Sequence, residues 1–184
     1  MLTAKFVTND DELIQIARLS ADNLVFNISD ETKEKEGFVT WVYPVNTLFA
    51  LHAIAHSVIV KDGDTVVGYA LVLTKECAAI YPPLGETINH VSTISYKGRP
   101  LTAHRVYFMG QICVHADYRG RGIVGMLYEF HRQQLSAQFD ILVTEISTNN
   151  PRSLRAHQKT GFKVIDTYHD AKDEWDVVIW DWME

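Results

Sequence analysis

The chain has few cysteines and no apolar segment long enough to cross a bilayer. Only two of its 184 residues are cysteine, Cys77 and Cys113, far below the density of a disulfide-stabilised secreted domain. No secretory hydrophobic region follows Met1. The most apolar stretch, 48–60, is interrupted by two histidines and falls short of the ~20 residues that a spanning helix needs. We therefore expect a cytoplasmic protein with free thiols and no membrane anchor.

The chain also lacks an excess of positive charge. Its formal net charge is -6 at pH 7, whereas a nucleic-acid-binding domain normally carries a basic surface. There is no internal repeat, low-complexity tract or Pro- and Ser-rich linker. The length therefore predicts one domain, 1–184, large enough to bury a substantial core. The histidines show no metal-ligand spacing with cysteine or carboxylate partners, so we expect no metal and no nucleic acid.

Strand and helix signals alternate along the first part of the chain. Asn9 can cap a helix whose apolar residues recur at helical spacing, and Asp62-Gly63-Asp64 is a hairpin turn between two strand-like runs. The polar run at 30–37 predicts a solvated helix turn or a mobile loop. The predicted elements are a strand at 4–8, a helix from 9–11 to 19, a helix at 45–55, and strands at 57–61 and 65–75.

The regular pattern stops at 76–104. This stretch contains Pro82-Pro83, signals for one short helix at 85–93, and a turn-rich run at 97–100. A loop of this length inside a compact domain is uncommon and is frequently functional. We interpret 76–104 as an insertion between strands, either near an acceptor site or as an irregular surface excursion.

The second half alternates strands and helices more regularly. Gly110 inside the strand at 105–114 indicates a bulge or the close approach of a ligand. Pro151 suits the first position of a helix, and Gly161 suits its end. The other predicted elements are a helix at 122–138 and strands at 141–147, 162–168 and 175–182. Following a hairpin, this order predicts an α/β sandwich around a mixed sheet.

The stretch 114–130, VHADYRGRGIVGMLYEF, joins a strand to a helix through a turn rich in arginine and glycine. Gly120 and Gly122 permit positive φ and let backbone N–H groups approach a ligand closely. The helix N-terminus adds its positive dipole end, and Arg119 and Arg121 add charge. The turn is therefore a candidate phosphate site. The alternative is a glycine-rich connection with exposed arginines.

Two motifs together resemble the GNAT acetyltransferase superfamily. Arg119-Gly120-Arg121-Gly122-Ile123-Val124 is similar to the family's loop for the acyl-CoA pyrophosphate, with Gly three residues after Arg and a small residue two further on. Val124 departs from that last position, although Gly125 follows it directly. The stretch 150–162, NPRSLRAHQKTGF, resembles the family's second cofactor motif, which begins with Asn and ends with Gly-Phe. The resemblance covers 105–165.

The resemblance implies an α/β (α+β) fold with a mixed, mostly antiparallel sheet of six to seven strands, splayed at its centre, and helices on both faces. It implies acetyl-CoA as the co-substrate, with its pantetheine arm beside the strand at 105–114 and its pyrophosphate on the loop amides. Transfer in the family is direct, so Cys113 is more consistent with packing than with a nucleophile. The residues that it assigns to cofactor binding are Ile112, Cys113, Val114, Arg119, Gly120, Arg121, Gly122, Ile123, Val124, Gly125, Asn150 and Ser153.

Three residues are candidates for the chemistry of acetyl transfer. A lysine-like amine near pKa 10.4 costs roughly 4 kcal/mol to deprotonate at neutral pH, so a general base is useful. Glu145, on an otherwise apolar strand, is the first candidate, and its position resembles that of the base in some family members; solvation or pairing with a nearby arginine is the alternative. His115 is the second. His157 stands where many members have a tyrosine acid, and it either protonates the thiolate or simply packs on its helix.

The acceptor side lies outside the shared motifs. We expect it at 27–41 and in the 76–104 insertion, with Tyr168 or Trp175 at its border. A covering insertion narrows a peptide groove, so a small amine or metabolite is favoured over a protein N-terminus. The competing hypothesis is a catalytically inactive acyl-CoA-binding module. Because dimers are common in the family, a homodimer through the C-terminal strands is a further expectation.

Overall fold

The computed structural model describes residues 1–27, 29, 31 and 37–183. Most of the polar run at 30–37, where a solvated turn or mobile loop is expected, lies outside these residues. Within the described ranges, no helix has the length and apolar character needed to cross a membrane.

A seven-stranded sheet forms the centre of the domain. In spatial order its strands are β1 (Leu2–Phe6), β2 (Val58–Asp62), β3 (Thr65–Leu73), β6 (Val106–Val114), β7 (Ile141–Ser147), β9 (Glu174–Asp181) and β8 (Lys163–His169). A separate small hairpin consists of β4 (Ser95–Tyr96) and β5 (Arg99–Pro100). The described α-helices of eight or more residues are α1 (Asp10–Asp22), α2 (Val45–His52), α3 (Pro82–Thr93), α4 (Ile123–Leu135) and α5 (Pro151–Thr160).

The sheet is mostly antiparallel and opens between β6 and β7. These two strands are parallel, whereas the other neighbouring pairs in the sheet are antiparallel. Parallel strands need a long crossover, which α4 provides. β6 and β7 pair only over Val106–Phe108 and the three residues from Ile141 to Val143. Beyond that point the strands diverge, and the expected splayed sheet is confirmed.

Gly110 lies at the point of divergence. The register of β3 against β6 shifts between Ala70 and Val72, opposite Gly110 and Gln111, so the predicted bulge is present. A Cβ on Gly110 would lie 2.5 Å from Cδ1 of Leu73, a distance that real side chains do not tolerate. Glycine therefore lets Leu73 and Tyr43 pack closely against the backbone at the bulge, and a larger residue would require them to move.

Alternation along the strands separates two cores. Ile59 and Tyr69 belong to the cluster that contains the buried residues of α1, α2 and α3, whereas Val60 and Ala70 belong to the cluster that contains those of α4. Successive strand residues point to opposite faces, so each face carries its own apolar set. Helices therefore cover both faces of the sheet, as the resemblance implied.

The 76–104 insertion is more regular than its sequence indicated. α3 begins at Pro82, three residues earlier than predicted, because the two prolines occupy first-turn positions where no backbone N–H is required. Short 3-10 turns at Lys75–Ala79 and Leu101–Ala103 flank it. Leu84 and Val91 are buried, so the segment packs against the domain and is not an irregular surface excursion.

Candidate active site

The turn before α4 has the backbone geometry of an anion site. Gly120 and Gly122 have φ of 74° and 78°, and Gly122 is the N-cap of α4. The first helical hydrogen bond that reaches back to Gly122 comes from the Met126 amide, so the amides at 123–125 have no partner inside the helix. Added Cβ atoms on Gly120, Gly122 and Gly125 would meet nothing within 4 Å. The backbone therefore fits a pyrophosphate.

A cavity of about 520 Å³ opens beside this turn, between the end of β6 and α5. It brings most of the predicted cofactor residues together. The predicted residues that line it are Ile112, Cys113, Val114, Arg119, Gly120, Gly122, Ile123, Val124, Gly125, Asn150, Ser153 and His157. Its volume and its open anion-binding end suit an extended cofactor that carries a pyrophosphate.

The two arginines of the turn differ in placement. Arg119 lines the cavity, and its guanidinium donates to Oδ1 of Asn23 and, at 3.4 Å, to the carbonyl of Val114. Arg121 is absent from the lining, and its guanidinium lies 4.9 Å from the ring centroid of Tyr118. The predicted part of Arg121 in cofactor binding, through its backbone amide in the turn, stays a prediction.

Sequence reasoning missed a basic face of the cavity. Arg152, Arg155 and Lys159 line it from α5. They recur three and then four residues apart after Pro151, which places them on one helix face. That spacing was readable in the sequence, because the helix start at Pro151 was predicted.

Asn150 connects two walls of the cavity. Its Oδ1 accepts from the Ser153 amide at 3.2 Å and so caps α5, and its Nδ2 donates to the carbonyl of Phe38 at 3.0 Å. The side chain is buried. Asn150 therefore positions the 37–39 segment against α5 and also lines the cavity; its predicted contact with the cofactor arm stays a prediction.

A second, smaller cavity of about 80 Å³ adjoins the first in the opening between β6 and β7. Its lining includes Gly110, Glu145 and Trp175. Both cavities are lined by Phe38, Val39, Ile112, Asn150, Ser153 and His157. The divergence of the two strands thus joins a large site and a small one, with Glu145 in the small one.

Glu145 is held by two hydroxyl groups. Oε2 accepts from Oγ1 of Thr87 and Oε1 accepts from the hydroxyl of Tyr168, both at 2.8 Å. Burial raises the pKa of this carboxyl, and the two hydrogen bonds only partly offset it. The alternative expectation of pairing with Arg152 or Arg155 does not match the observed partners.

His157 is buried with both ring nitrogens engaged. Nδ1 lies 2.8 Å from the Ser153 carbonyl, which can only accept, so this nitrogen carries the proton. Nε2 then accepts from the hydroxyl of Tyr128 at 2.6 Å. Burial lowers the pKa of the ring to about 4, so the imidazole is neutral at pH 7. Direct protonation of a leaving thiolate by His157 would require one of these bonds to break.

The other two predicted groups are placed differently. His115 lines neither cavity; its side chain is 41% exposed, and Nδ1 accepts from the Asp117 amide at 3.3 Å. The structure therefore does not bring it to Glu145. Cys113 lines the large cavity, and burial raises the pKa of its thiol to about 12. It is un-ionised at neutral pH, in agreement with a packing role.

Sequence reasoning also missed Thr87 and His90. Both lie on α3, and His90 stacks on Tyr168 with ring centroids 3.8 Å apart. Trp175 lines the small cavity and Tyr168 bonds its glutamate; their place at an acceptor site stays a prediction. No local signal marked Thr87 or His90, because their contacts are with residues far along the chain.

Comparisons with known proteins agree with this geometry. The model of the acetyltransferase (GNAT) family matches residues 23–162. An N-acetyltransferase from Staphylococcus aureus Mu50 has a similar structure, with a TM-score of 0.65, 16% identity, and 99% of each chain covered. The ribosomal-protein-S18-alanine N-acetyltransferase from Escherichia coli matches with a TM-score of 0.61 at 12% identity, over 97% of this chain and 91% of that one.

A third solved structure, the NatC complex bound to Gag peptide and CoA, matches with a TM-score of 0.65 at 13% identity, over 98% of both chains. At these identities the structural matches show a shared fold. The family model, which spans most of the chain, shows more than the fold. With the anion-binding turn and the splayed sheet, it establishes that this chain belongs to the acetyltransferase (GNAT) family and is an acyltransferase.

Proposed function

We propose that the protein transfers the acetyl group of acetyl-CoA directly to the primary amine of a small acceptor. The observation that carries this proposal is the junction of the two cavities between β6 and β7, with Glu145 in the smaller one. The large cavity has the size and the anion-binding end for the cofactor. In this proposal the amine approaches the Glu145 carboxylate through the small cavity.

The donor side consists of the turn, the end of β6 and α5. The amides at 120–125 and the guanidinium of Arg119 would hold the pyrophosphate, since the Arg119 amide already donates to the Ala116 carbonyl. Backbone at Ile112 and Val114 would pair with the pantetheine arm. The cations of α5 extend the positive surface of the cavity. Bound acetyl-CoA supplies an activated acetyl group at the junction of the two cavities.

Glu145 acts as the general base in this proposal. An acceptor amine arrives as ammonium and can attack only after it has lost a proton. Burial raises the pKa of Glu145, which makes its carboxylate a better proton acceptor than a solvated one. The surrounding hydroxyls donate to the carboxylate, so it stays in place while it receives the proton.

A small acceptor fits better than a peptide because α3 lies against the acceptor side. Thr87 of α3 hydrogen-bonds Glu145 directly, and the cavity at Glu145 is only about 80 Å³. A protein N-terminus is the second candidate, since the E. coli structural relative is a ribosomal-protein-S18-alanine N-acetyltransferase. A peptide-bound structure with α3 displaced from Glu145 would favour that candidate.

The test is a thiol-release assay with acetyl-CoA against small amines, polyamines, amino acids and N-terminal peptides. We expect turnover with one acceptor class and a loss of at least about 100-fold in kcat for Glu145→Gln, the size of a general-base effect. Glu129→Gln is the matched control, because Glu129 lies on α4, pairs with Arg132 and lines neither cavity.

Two outcomes would contradict the proposal. Full turnover by Glu145→Gln would show that Glu145 is not the general base. Binding of acetyl-CoA by calorimetry, with no turnover on any acceptor, would favour the inactive binding module, a reading that the fully engaged ring of His157 also supports.

We propose separately that the protein forms a homodimer through β8. This strand is at the edge of the sheet, and its Val164 is 40% exposed. A strand at the edge of a sheet can add a strand from a second copy. Light scattering coupled to size exclusion measures the mass directly, and a monomer at all concentrations would rule the dimer out.

A further inference from the structure

The glutamate of the small cavity is held by two different elements on one face of the sheet. Thr87 reaches it from α3, and Tyr168 reaches it from β8. The two donors occupy different carboxylate oxygens. An ionised carboxylate offers about four lone-pair positions, so two remain for a third partner. Glu145 lines the small cavity, which is where that partner would lie.

Tyr168 is itself held by α3. The ring of His90 stacks on that of Tyr168, with centroids 3.8 Å apart and planes inclined by 27°. Nε2 of His90 lies 2.8 Å from Oδ2 of Asp166 on the same strand as Tyr168. His90 is thus fixed against β8 by two independent contacts, and it restricts the position of the Tyr168 ring.

These contacts make the inserted helix part of the site. Thr87 and His90 are three residues apart on α3 and therefore share a helix face. One contacts Glu145, and the other contacts the residue that bonds the second oxygen of Glu145. A helix that merely covered the sheet would not need polar partners at both positions.

We propose that Thr87 and Tyr168 are positioning residues that fix the Glu145 carboxylate toward the acceptor, and that His90 fixes Tyr168. The 76–104 segment then forms part of the acceptor site. This inference rests on the proposed function, in which Glu145 is the general base. It assigns to α3 a role in aligning the Glu145 carboxylate, in addition to any restriction that α3 places on the entry of an acceptor into the small cavity.

The arrangement has a consequence for the pH dependence of the reaction. Burial raises the pKa of Glu145, whereas the hydrogen bonds from Thr87 and Tyr168 and the nearby His90 lower it, and the charge of Asp170 raises it. The charge of Glu86 on α3 raises the pKa of Tyr168, as do burial and the charges of Glu145 and Asp170. Loss of either hydroxyl destabilises the carboxylate, so the pKa of the base rises. The acidic limb of the rate profile then moves to higher pH.

The experiment measures kcat and kcat/KM against pH with one amine acceptor at saturating acetyl-CoA. The variants are Thr87→Val, which is isosteric, Thr87→Ser, which keeps the hydroxyl, and Tyr168→Phe. We expect the midpoint of the acidic limb to shift to higher pH by roughly 1 unit in Thr87→Val and in Tyr168→Phe, since hydrogen bonds to charged groups are worth about that much. Thr87→Ser should restore the original limb.

The matched control is Thr93→Val on the same helix. The Thr93 hydroxyl donates to the carbonyl of His90 and is exposed, so its loss should leave the limb unchanged. Because all variants use the same acceptor, ionisation of the amine contributes equally to every profile. Thermal unfolding of each variant shows that the comparison is made on folded protein.

Three outcomes separate the inference from the function on which it rests. If Glu145→Gln keeps full turnover, the base assignment fails, and the inference fails with it. If Glu145→Gln is inactive while Thr87→Val and Tyr168→Phe keep the wild-type limb, the positioning role alone is overturned. A changed KM for the amine with an unmoved limb has the same meaning, because it indicates contact with the acceptor and not with the base.

Discussion

Glu12 and Glu145 are both carboxylates removed from solvent, yet their surroundings shift their pKa values in opposite directions. At Glu12 burial raises the pKa, but hydrogen bonds from Lys5, the Thr8 amide and Lys61 outweigh it and lower the pKa from 4.5 to about 2. At Glu145 the donors are two neutral hydroxyls, so burial dominates. Formal positive charge explains the difference, because it stabilises a carboxylate more than a hydroxyl does.

Glu12 contributes to the stability of the fold. Glu12 of α1 bonds Lys5 of β1 at 2.7 Å and Lys61 of β2 at 2.9 Å, and its side chain is 1% exposed. It therefore ties the first helix to the first two strands. Removal of its charge leaves the two lysines without their buried partner.

We predict that Glu12→Gln lowers the free energy of unfolding by about 3 kcal/mol at pH 7. Because the folded pKa lies below the unfolded one, the contribution is complete above pH 4.5 and is lost as pH falls toward 2. Urea unfolding at pH 7, 5 and 3.5 should show the gap between variant and wild type narrowing only at the lowest pH. Glu129→Gln, in an exposed pair, should change stability by less than about 1 kcal/mol.

At the scale of elements, α5 joins the two cavities through its N-terminus. The Asn150 side chain both caps the helix and bonds Phe38, which lies 112 positions earlier in the chain. The cap was predictable from Asn followed by Pro at the helix start. The bond to Phe38 was not, because nothing local indicates which distant backbone meets the cap.

The two roles of Asn150 can be separated by substitution. Asn150→Ser keeps a capping oxygen but cannot reach the Phe38 carbonyl, whereas Asn150→Ala loses both contacts. We predict that the serine variant unfolds near the wild-type temperature and binds acetyl-CoA roughly threefold to tenfold more weakly, the value of one net hydrogen bond. The alanine variant should lose a further ~1 kcal/mol of stability. Calorimetry and thermal unfolding measure the two effects.

Asn149→Ser is the control for this prediction. Asn149 is exposed, bonds Asp173, and lines neither cavity. If Asn149→Ser weakens acetyl-CoA binding as much as Asn150→Ser does, the loss of affinity results from a change in the whole loop and not from the loss of the hydrogen bond between Asn150 and the Phe38 carbonyl.

At the scale of the molecule, the charge of the large cavity is opposite in sign to the net charge of the chain. The chain carries a formal net charge of -6, yet the large cavity is lined by Arg119, Arg152, Arg155 and Lys159. The small cavity has a carboxylate, and the described residues that line it include no lysine or arginine. The two ends of the site are thus of opposite sign, which suits a polyanionic cofactor at one end and an ammonium at the other.

We predict that Arg155→Ala and Lys159→Ala each weaken acetyl-CoA binding by roughly twofold to fivefold at low salt, because both side chains are exposed and screened. The difference from wild type should shrink in high salt, as calorimetry at two ionic strengths would measure. Arg18→Ala, an exposed arginine on α1 outside both cavities, should have no effect. An equal loss of acetyl-CoA affinity in Arg18→Ala would mean that the net charge of the protein, and not the position of the cation, causes the effect.

Most of the donor side could be predicted because its signals are local. Positive φ at Gly120 and Gly122, the apolar spacing of α4 and the Asn-Pro start of α5 each act within a few residues. The direction of the Arg121 side chain, which lies over Tyr118, was not predictable in this way. Adjacent side chains in a turn point in different directions, and the sequence does not record which.

The acceptor side depends on contacts that only the folded chain makes. Thr87 and Glu145 are 58 positions apart, and Glu145 and Tyr168 are 23 apart. They meet because β7, β9 and β8 lie side by side and α3 packs against them. From the sequence alone, Glu145 was a carboxylate on an apolar strand and 76–104 a break in the pattern. Local chemistry therefore determined the elements, the cap and the glycine turn before α4. Strand order and helix packing determined which side chains surround Glu145, because those contacts depend on distances in space and not along the chain.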